Sequence, residues 1–89
     1  LQRDMRYQIR LEEKAERDLD NLSKRVKERV VKSFLALSYY PYIGIKLGDD
    51  LEGYYSITIW PNKIIYKVYE KIKSINIVMI ISGQGFLKH

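Results

Sequence analysis

Apolar and polar residues alternate along the first patterned stretch of the chain. Its apolar positions are Met5, Tyr7, Ile9 and Leu11, separated by Arg6, Gln8 and Arg10. Because successive side chains of a strand point to opposite faces, this alternation predicts a half-buried β-strand. Residues 1–4 follow no pattern, and we expect them to be an unstructured leader outside the fold.

From Glu12 onward the spacing of apolar residues becomes that of a helix. The first stripe consists of Ala15, Leu19 and Leu22, and the second of Val26, Val30, Phe34 and Leu37. Ser23 lies between the stripes and suits the N-cap of the second helix. That helix should end by Pro41, because the residue before a proline is driven out of helical angles. The short link between the stripes predicts an antiparallel helix hairpin.

A β-hairpin is predicted between Gly53 and Val68. In its first arm Tyr55, Ile57 and Ile59 alternate with Ser56, Thr58 and Trp60. Pro61 and Asn62 mark the turn, since proline lacks the donor that a central strand needs and asparagine tolerates turn conformations. The second arm carries Lys63 and Lys67, which lie four residues apart on a strand and therefore project from one face.

The last apolar run, residues 75–81, predicts a strand buried on both faces. The element order is then β-α-α-β-β-β. This order indicates the α+β class, with the helix hairpin packed on a small, mostly antiparallel sheet. With 89 residues, the chain 1–89 is expected to form a single domain.

Composition excludes several classes of protein. The chain is 46% hydrophobic and 30% charged, which is typical of a globular domain. No segment approaches the ~20 apolar residues of a membrane span, so we expect no membrane partner. The chain has no cysteine and one histidine, His89. A disulfide framework and a Cys- or His-cluster metal site are therefore excluded, and we expect no metal or small-molecule cofactor and a cytoplasmic location.

The net charge of +5 is unevenly distributed. Basic and acidic residues nearly balance through Gly53, whereas five lysines accompany only Glu70 after it. This excess favours a polyanionic partner, either a nucleic acid or an acidic protein segment. The alternative is that the lysines keep strand edges unpaired and in solvent.

An aromatic loop surrounds Pro41. Tyr39, Tyr40 and Tyr42 offer ring faces on which nucleobases stack. Tyrosines at such a place more often pack the end of a helix hairpin against a sheet. Both roles stay open at this point.

Four short motifs follow one another in a characteristic order. They are Ala15-Glu16-Arg17-Asp18-Leu19, Lys46-Leu47, Leu51-Glu52-Gly53-Tyr54-Tyr55 and Lys63-Ile64-Ile65-Tyr66-Lys67-Val68. With the Tyr-Pro loop and the last apolar strand, the chain from Met5 onward resembles the RelE/ParE superfamily of toxins from type II toxin–antitoxin systems.

The resemblance implies the RelE-like fold and one of two activities. RelE-type members are endonucleases that cut mRNA in the decoding site of the ribosome, whereas ParE-type members target DNA gyrase. Both types are neutralised by a cognate antitoxin. The resemblance therefore implies an mRNA interferase that inhibits translation, with an antitoxin, the ribosome and mRNA as partners. The alternatives are a non-nucleolytic relative that binds a protein and a basic nucleic-acid-binding module without toxin activity.

The chain departs from the RNA-cutting members at several basic positions. Where they alternate lysine or arginine after the Tyr-Tyr pair, this chain has Ser56 and Thr58. Lys63 replaces an arginine, which keeps the charge but loses the bidentate geometry of a guanidinium. The final segment, residues 82–89, has no arginine and no tyrosine.

RNA cleavage by the neighbouring 2′-hydroxyl needs a base, positive charge at the phosphate and an acid for the leaving oxygen. We expect Lys63 and Lys67 to hold the scissile phosphate, and Lys88 and His89 to assist proton transfer, since only histidine has an unperturbed pKa near neutrality. The expected RNA-binding residues are Lys46, Tyr54, Tyr55, Lys71 and Lys73. The alternatives are that the lysines only cover the surface, that the tyrosines pack, and that the terminal histidine is incidental.

Overall fold

The computed structural model describes residues 6–82, which form two α-helices and five strands. The elements are β1 (Gln8–Leu11), α1 (Glu13–Asp20), α2 (Lys24–Tyr39), β2 (Ile45–Lys46), β3 (Tyr54–Ile59), β4 (Asn62–Tyr69) and β5 (Ser74–Ile81), with a short 3-10 helix at Asp49–Leu51. The predicted α+β class is confirmed. Strand β2 was not predicted, because two residues are too few to show the alternation of a strand. Within residues 6–82 no helix is long and apolar enough to cross a membrane.

The strands form one sheet in the order β1-β5-β4-β3-β2. Strand β1 pairs with β5 in parallel, with Gln8 opposite Ser74 and Leu11 opposite Ile77. The other pairings are antiparallel, so the sheet is mostly antiparallel as predicted. A parallel pair needs a long crossover. Here all the other elements lie between the two paired strands, and the first and last strands of the chain become neighbours.

The helices bury one face of the sheet. The helical core residues are Ala15, Leu19, Val30, Phe34 and Leu37, and those of the strands are Ile64, Tyr66, Ile75, Ile77 and Ile80. Val26 packs at the margin of this core. The predicted stripe of the second helix therefore faces the sheet, and apolar burial on one side of each element holds the two layers together.

Both predicted ends of α2 agree with the structure. The Ser23 hydroxyl accepts a hydrogen bond from the backbone N–H of Val26 at 3.4 Å. This bond satisfies one of the donors that the first turn of a helix leaves without a helical partner. The helix ends at Tyr39, before Pro41.

Strand β5 is less buried than its sequence predicts. Its register against β4 changes at one point: Ile65 lies opposite Met79, but Tyr66 lies opposite Ile77, so Val78 is an extra residue. Ile75, Ile77 and Ile80 belong to the helix-facing core, and the other residues of the run 75–81 are only half-buried. The prediction of burial on both faces is wrong, because helices cover only one side of the sheet.

Helix α1 covers the part of β5 that β1 leaves unpaired. The pairing of β1 extends only to Ile77. Beyond it, the backbone N–H of Ile80 donates to the Asp18 carboxylate at 2.9 Å, and the Lys14 ammonium lies 3.0 Å from the same side chain. Asp18 thus supplies an acceptor where an unpaired strand edge would otherwise be exposed to other chains.

Tyr66 ties the hairpin to the loop before β2. Its phenol oxygen accepts a hydrogen bond from the Gly44 N–H at 3.0 Å, and burial raises the pKa of the phenol. A Cβ on Gly44 would lie 2.6 Å from this oxygen and 2.6 Å from the Ser56 carbonyl oxygen. The close approach of the two backbones therefore requires glycine.

We predict that Gly44→Ala destabilises the protein by about 1–3 kcal/mol, because the added methyl group overlaps backbone that has little room to shift. Urea unfolding followed by circular dichroism measures the change. Gly48→Ala is the matched control, since a Cβ at Gly48 has no atom within 4 Å. Equal effects of the two substitutions would contradict the tight contact at Gly44.

Candidate nucleic-acid interface

The open face is the side of the sheet turned away from the helices. Because residues alternate between faces along a strand and paired residues share a face, the register assigns residues of all five strands to it. These are Gln8 and Arg10 of β1, Ile45 of β2, Tyr54, Ser56 and Thr58 of β3, Lys63, Ile65, Lys67 and Tyr69 of β4, and Ser74, Asn76, Met79 and Ile81 of β5. These strand positions include cations, tyrosines and four apolar residues but no carboxylate, so the charged part of the face suits an anionic ligand.

Lys67 lies between two tyrosines of the open face. Its ammonium nitrogen is 5.0 Å from the ring centroid of Tyr54 and 5.3 Å from that of Tyr69. Tyr54 is the cross-strand partner of Lys67, and Tyr69 is two residues further along the same strand. Two cation–π contacts hold the ammonium in place while leaving its N–H donors available to an anion.

Lys63 lies on the same face, as predicted, near the turn of the hairpin. It pairs with Thr58 on one side and with Ile81 on the other. Its Cα and that of Lys67 are roughly 13 Å apart along the strand, at about 3.3 Å per residue. The two lysines are the second and sixth residues of β4, so one phosphate contacts both only if it lies between their side chains.

Tyr55 faces the helix side of the sheet. Its ring stacks on Tyr66, with centroids 5.6 Å apart and an interplanar angle of 19°, and meets the edge of Tyr42 at 5.6 Å. Tyr55 therefore packs between the hairpin and the aromatic loop. Its predicted contact with RNA stays a prediction.

Tyr42 is fixed at its hydroxyl end. The hydroxyl donates to the Glu70 carboxylate at 2.7 Å, and this hydrogen bond raises the pKa of Tyr42. The phenol therefore stays protonated at neutral pH. It acts as a donor that fastens the aromatic loop to the end of β4, and it is unsuited to the role of a general base.

The three other predicted RNA-binding lysines lie around the sheet margin. Lys46 is exposed on the edge strand β2, and Lys71 and Lys73 are exposed in the turn between β4 and β5. The Lys73 ammonium lies 5.1 Å from the ring centroid of Tyr7. These lysines extend positive charge along the rim but do not join Lys63 and Lys67 on the open face.

Two of the predicted catalytic residues, Lys88 and His89, lie outside the described residues. On the open face itself, Ser56 is buried and Thr58 is exposed, and both are neutral. Within residues 6–82 no group of three or more His, Cys, Asp or Glu side chains is placed to hold a metal ion. In this part of the chain, positive charge from lysine and arginine is the chemistry that the open face offers to a phosphate.

No role is predicted from the sequence for Arg10, Tyr69 or Asn76, which the register places on the open face. Arg10 and Asn76 become neighbours only through the parallel pairing of the first and last strands. A signal for Arg10 was present, since it occupies a polar position of a half-buried strand. Without knowledge of the partner strand, that signal does not say what Arg10 adjoins.

Comparison with known proteins gives matches among solved structures. A scan against protein-family models and a search of the curated proteins give none. A chain of the RelBE2 toxin–antitoxin complex from Mycobacterium tuberculosis is 26% identical, with 86% of this chain and 98% of that chain covered and a TM-score of 0.81. The archaeal RelE–RelB complex from Pyrococcus horikoshii OT3 matches at 23% identity, coverages of 89% and 97%, and a TM-score of 0.73. The chromosomal ParDE system from P. aeruginosa matches at 18% identity, with 89% of this chain and 98% of that chain covered and a TM-score of 0.70.

The fold thus defines a class of small α+β proteins in which a helix hairpin covers one face of a mostly antiparallel sheet. The RelBE2 match, at 26% identity over 86% of this chain, supports the resemblance to the RelE/ParE superfamily of toxins that the sequence motifs carry. The neighbours include RelE and ParE structures alike, so they support a toxin of a toxin–antitoxin system without distinguishing the two activities.

We predict that Lys67 and Tyr54 are energetically coupled by about 0.5–1 kcal/mol, the range for an exposed cation–π pair. A double-mutant cycle with Lys67→Met and Tyr54→Leu, followed by urea unfolding, measures the coupling. The control cycle pairs Tyr54→Leu with Lys71→Met, a lysine of the neighbouring turn, and should give a coupling near zero. Equal couplings in the two cycles would show that the ring contact is not specific.

Proposed function

We propose that this protein is the toxin of a type II toxin–antitoxin system and that it cuts mRNA on the ribosome without a metal ion. The observation that carries the proposal is the open face, where Lys67 is held between two tyrosines and Lys63 lies on the same strand. The likeness to RelE structures supports it. Ribosomes and mRNA are its partners, and the cytoplasm is its place of action.

The proposed reaction is an internal displacement at phosphorus. The 2′-oxygen of a nucleotide loses its proton to a base and forms a bond to the adjacent phosphorus. The bond from phosphorus to the 5′-oxygen breaks, and this oxygen takes up a proton from an acid. Lys63 and Lys67 stabilise the added negative charge through charge-assisted hydrogen bonds to phosphate oxygens. Lys88 and His89 assist the proton transfers.

RNA binding in this proposal combines stacking and charge. Tyr54 offers a ring face to a nucleobase beside Lys67, and Lys46, Lys71 and Lys73 attract the backbone from the rim of the sheet. Tyr55 stacks on Tyr66 on the helix side of the sheet and contributes to binding through the stability of the hairpin. The ribosome supplies further orientation of the mRNA.

The neutral residues Ser56 and Thr58 favour a second candidate function. A hairpin whose first arm carries no cation stabilises a phosphorane less well than one with several. A ParE-like or other non-nucleolytic toxin that binds a protein target is therefore the alternative. The test of cleavage below separates it from the first proposal.

We further propose that a cognate antitoxin docks on the solvent side of α2. An apolar stripe on this side consists of Val31, Leu35 and Tyr39. Their relative exposures are 45%, 57% and 56%, respectively. These residues recur every four positions and lie on one side of the helix, away from the core stripe. The neighbours supporting an antitoxin partner are themselves toxin–antitoxin complexes.

The charge around this stripe indicates the kind of segment that binds there. A shallow groove beside Val31 is lined by three lysines and one carboxylate, Lys24, Lys27, Lys32 and Glu28, so its charge is net positive. A stripe of apolar residues with a basic rim suits an amphipathic helix whose own rim is acidic. The proposed occupant is such a helix of the antitoxin.

We predict that Lys63→Gln and Lys67→Gln each slow mRNA cleavage by roughly 10²-fold, the usual effect of removing one electrostatic contact to the transition state. Primer extension on mRNA from translating ribosomes locates and quantifies the cuts, which should fall in the ribosomal A site. Lys32→Gln is the control, because Lys32 lies on α2 and not on the sheet.

Intact mRNA at a large excess of the wild-type protein would rule out the nuclease and leave the ParE-like alternative. A loss of cleavage in all three variants would instead point to a general effect of charge, without a specific site on the open face.

We predict that Leu35→Asp weakens antitoxin binding at least tenfold, which corresponds to about 1.4 kcal/mol. The binding partner in this test is the product of the reading frame adjacent to the toxin gene, measured by titration calorimetry. Ile72→Asp is the control, since Ile72 is 69% exposed but lies in the turn between β4 and β5. Unchanged affinity of Leu35→Asp would place the docking surface elsewhere.

A further inference from the structure

A row of side chains crosses the open face at the level of Lys67. Lys67 lies opposite Tyr54 on one side and Asn76 on the other, and Asn76 lies opposite Arg10. The row therefore runs across four strands, perpendicular to them. Since neighbouring strands are about 4.8 Å apart, the Cα atoms of Arg10 and Lys67 are separated by roughly 10 Å, and the whole row measures roughly 14 Å.

Arg10 is the cation of this row that the proposed site does not use. Its side chain is exposed and makes no hydrogen bond, ion pair or ring contact within residues 6–82. A guanidinium offers a planar set of donors that matches two oxygens of one phosphate. Arg10 thus brings to the open face the phosphate geometry that the lysine at position 63 lacks.

The surface between Lys63 and Lys67 is less suited to an anion than the surface between Lys67 and Arg10. Ile65 lies between the two lysines on β4 and is itself apolar and buried. Asn76, between Lys67 and Arg10, is polar and half-buried. A polyanion meets polar groups continuously when it crosses the strands, and an apolar residue when it follows β4.

Glu12 lies at the end of the row and opposes anion binding there. Its carboxylate accepts a hydrogen bond from the Asn76 amide at 3.4 Å. This contact orients Asn76 and places a negative charge near Arg10, two residues earlier in the chain. Neutralising Glu12 should therefore act in the opposite direction to neutralising Arg10.

We infer that Arg10 binds a backbone phosphate of single-stranded RNA that crosses the open face along this row. In this arrangement Lys67 contacts a second phosphate and Tyr54 stacks on a base. The inference rests on the proposed function, and extends the RNA-binding surface from the hairpin to the first strand of the chain.

The test measures binding of a short fluorescein-labelled oligouridylate by fluorescence anisotropy across a series of salt concentrations. Each phosphate contact to a single strand contributes about 0.7 to the slope of log affinity against log salt. Arg10→Gln should lower the slope by about 0.7 and the affinity at 0.1 M salt by about fivefold. Glu12→Gln should raise the affinity. Arg25→Gln, an exposed arginine on α2, is the matched control and should leave the slope unchanged.

The outcomes separate this inference from the proposed function. Equal slopes for Arg10→Gln and Arg25→Gln, with the wild type binding RNA, would overturn the role of Arg10 and leave the nuclease proposal standing. A wild type that shows no salt-dependent RNA binding would overturn both. A urea midpoint equal to that of the wild type confirms that Arg10→Gln is folded, so that a lower slope reports a lost contact.

Discussion

The parallel pairing of β1 with β5 is the constraint on which the rest of the structure depends. It joins the first and last strands of the described fold, and it therefore requires the helix hairpin and the β-hairpin to be accommodated between them. It also sets the position of α1, whose Asp18 accepts a hydrogen bond from the part of β5 beyond the reach of β1. Finally, it places Arg10 beside Asn76, the residue of β5 that pairs with Lys67 of β4. Closing such a non-local pair costs loop entropy, which the buried contacts of both layers must offset.

The alternation of side chains along the hairpin contributes residues both to the buried core and to the candidate site. Tyr54 and Tyr55 are adjacent in the sequence but lie on opposite faces of the sheet. Tyr55 stacks on the buried Tyr66, whereas the ring of Tyr54 lies beside the Lys67 ammonium. A shift of one residue in register would exchange these roles and expose the core. The contact of Gly44 with Tyr66 helps to keep the register, because it fixes the loop that leads into the edge strand.

The two proposed binding surfaces lie on opposite sides of the molecule. The helices separate the exposed stripe of α2 from the open face of the sheet. A partner confined to that stripe would leave the open face accessible to RNA. Inhibition by the proposed antitoxin therefore requires either a second segment that reaches the sheet or competition with the ribosome for α2. The sparse charge of the first hairpin arm makes Lys67 and Arg10 correspondingly more important to any RNA contact.

The sequence by itself determined the helices, most of the strands and the resemblance to RelE/ParE toxins, because these follow from local pattern. The spacing of Val26, Val30, Phe34 and Leu37 defines α2, the alternation around Lys63 and Lys67 defines their shared face, and the Tyr-Tyr and Ile-Ile-Tyr motifs carry the resemblance to RelE. Only the tertiary structure decided that β5 is buried on one side alone, that Tyr55 packs away from the site, and that Arg10 adjoins Asn76 of β5. These facts depend on which strands pair, and pairing between distant segments leaves no periodic trace in either strand alone.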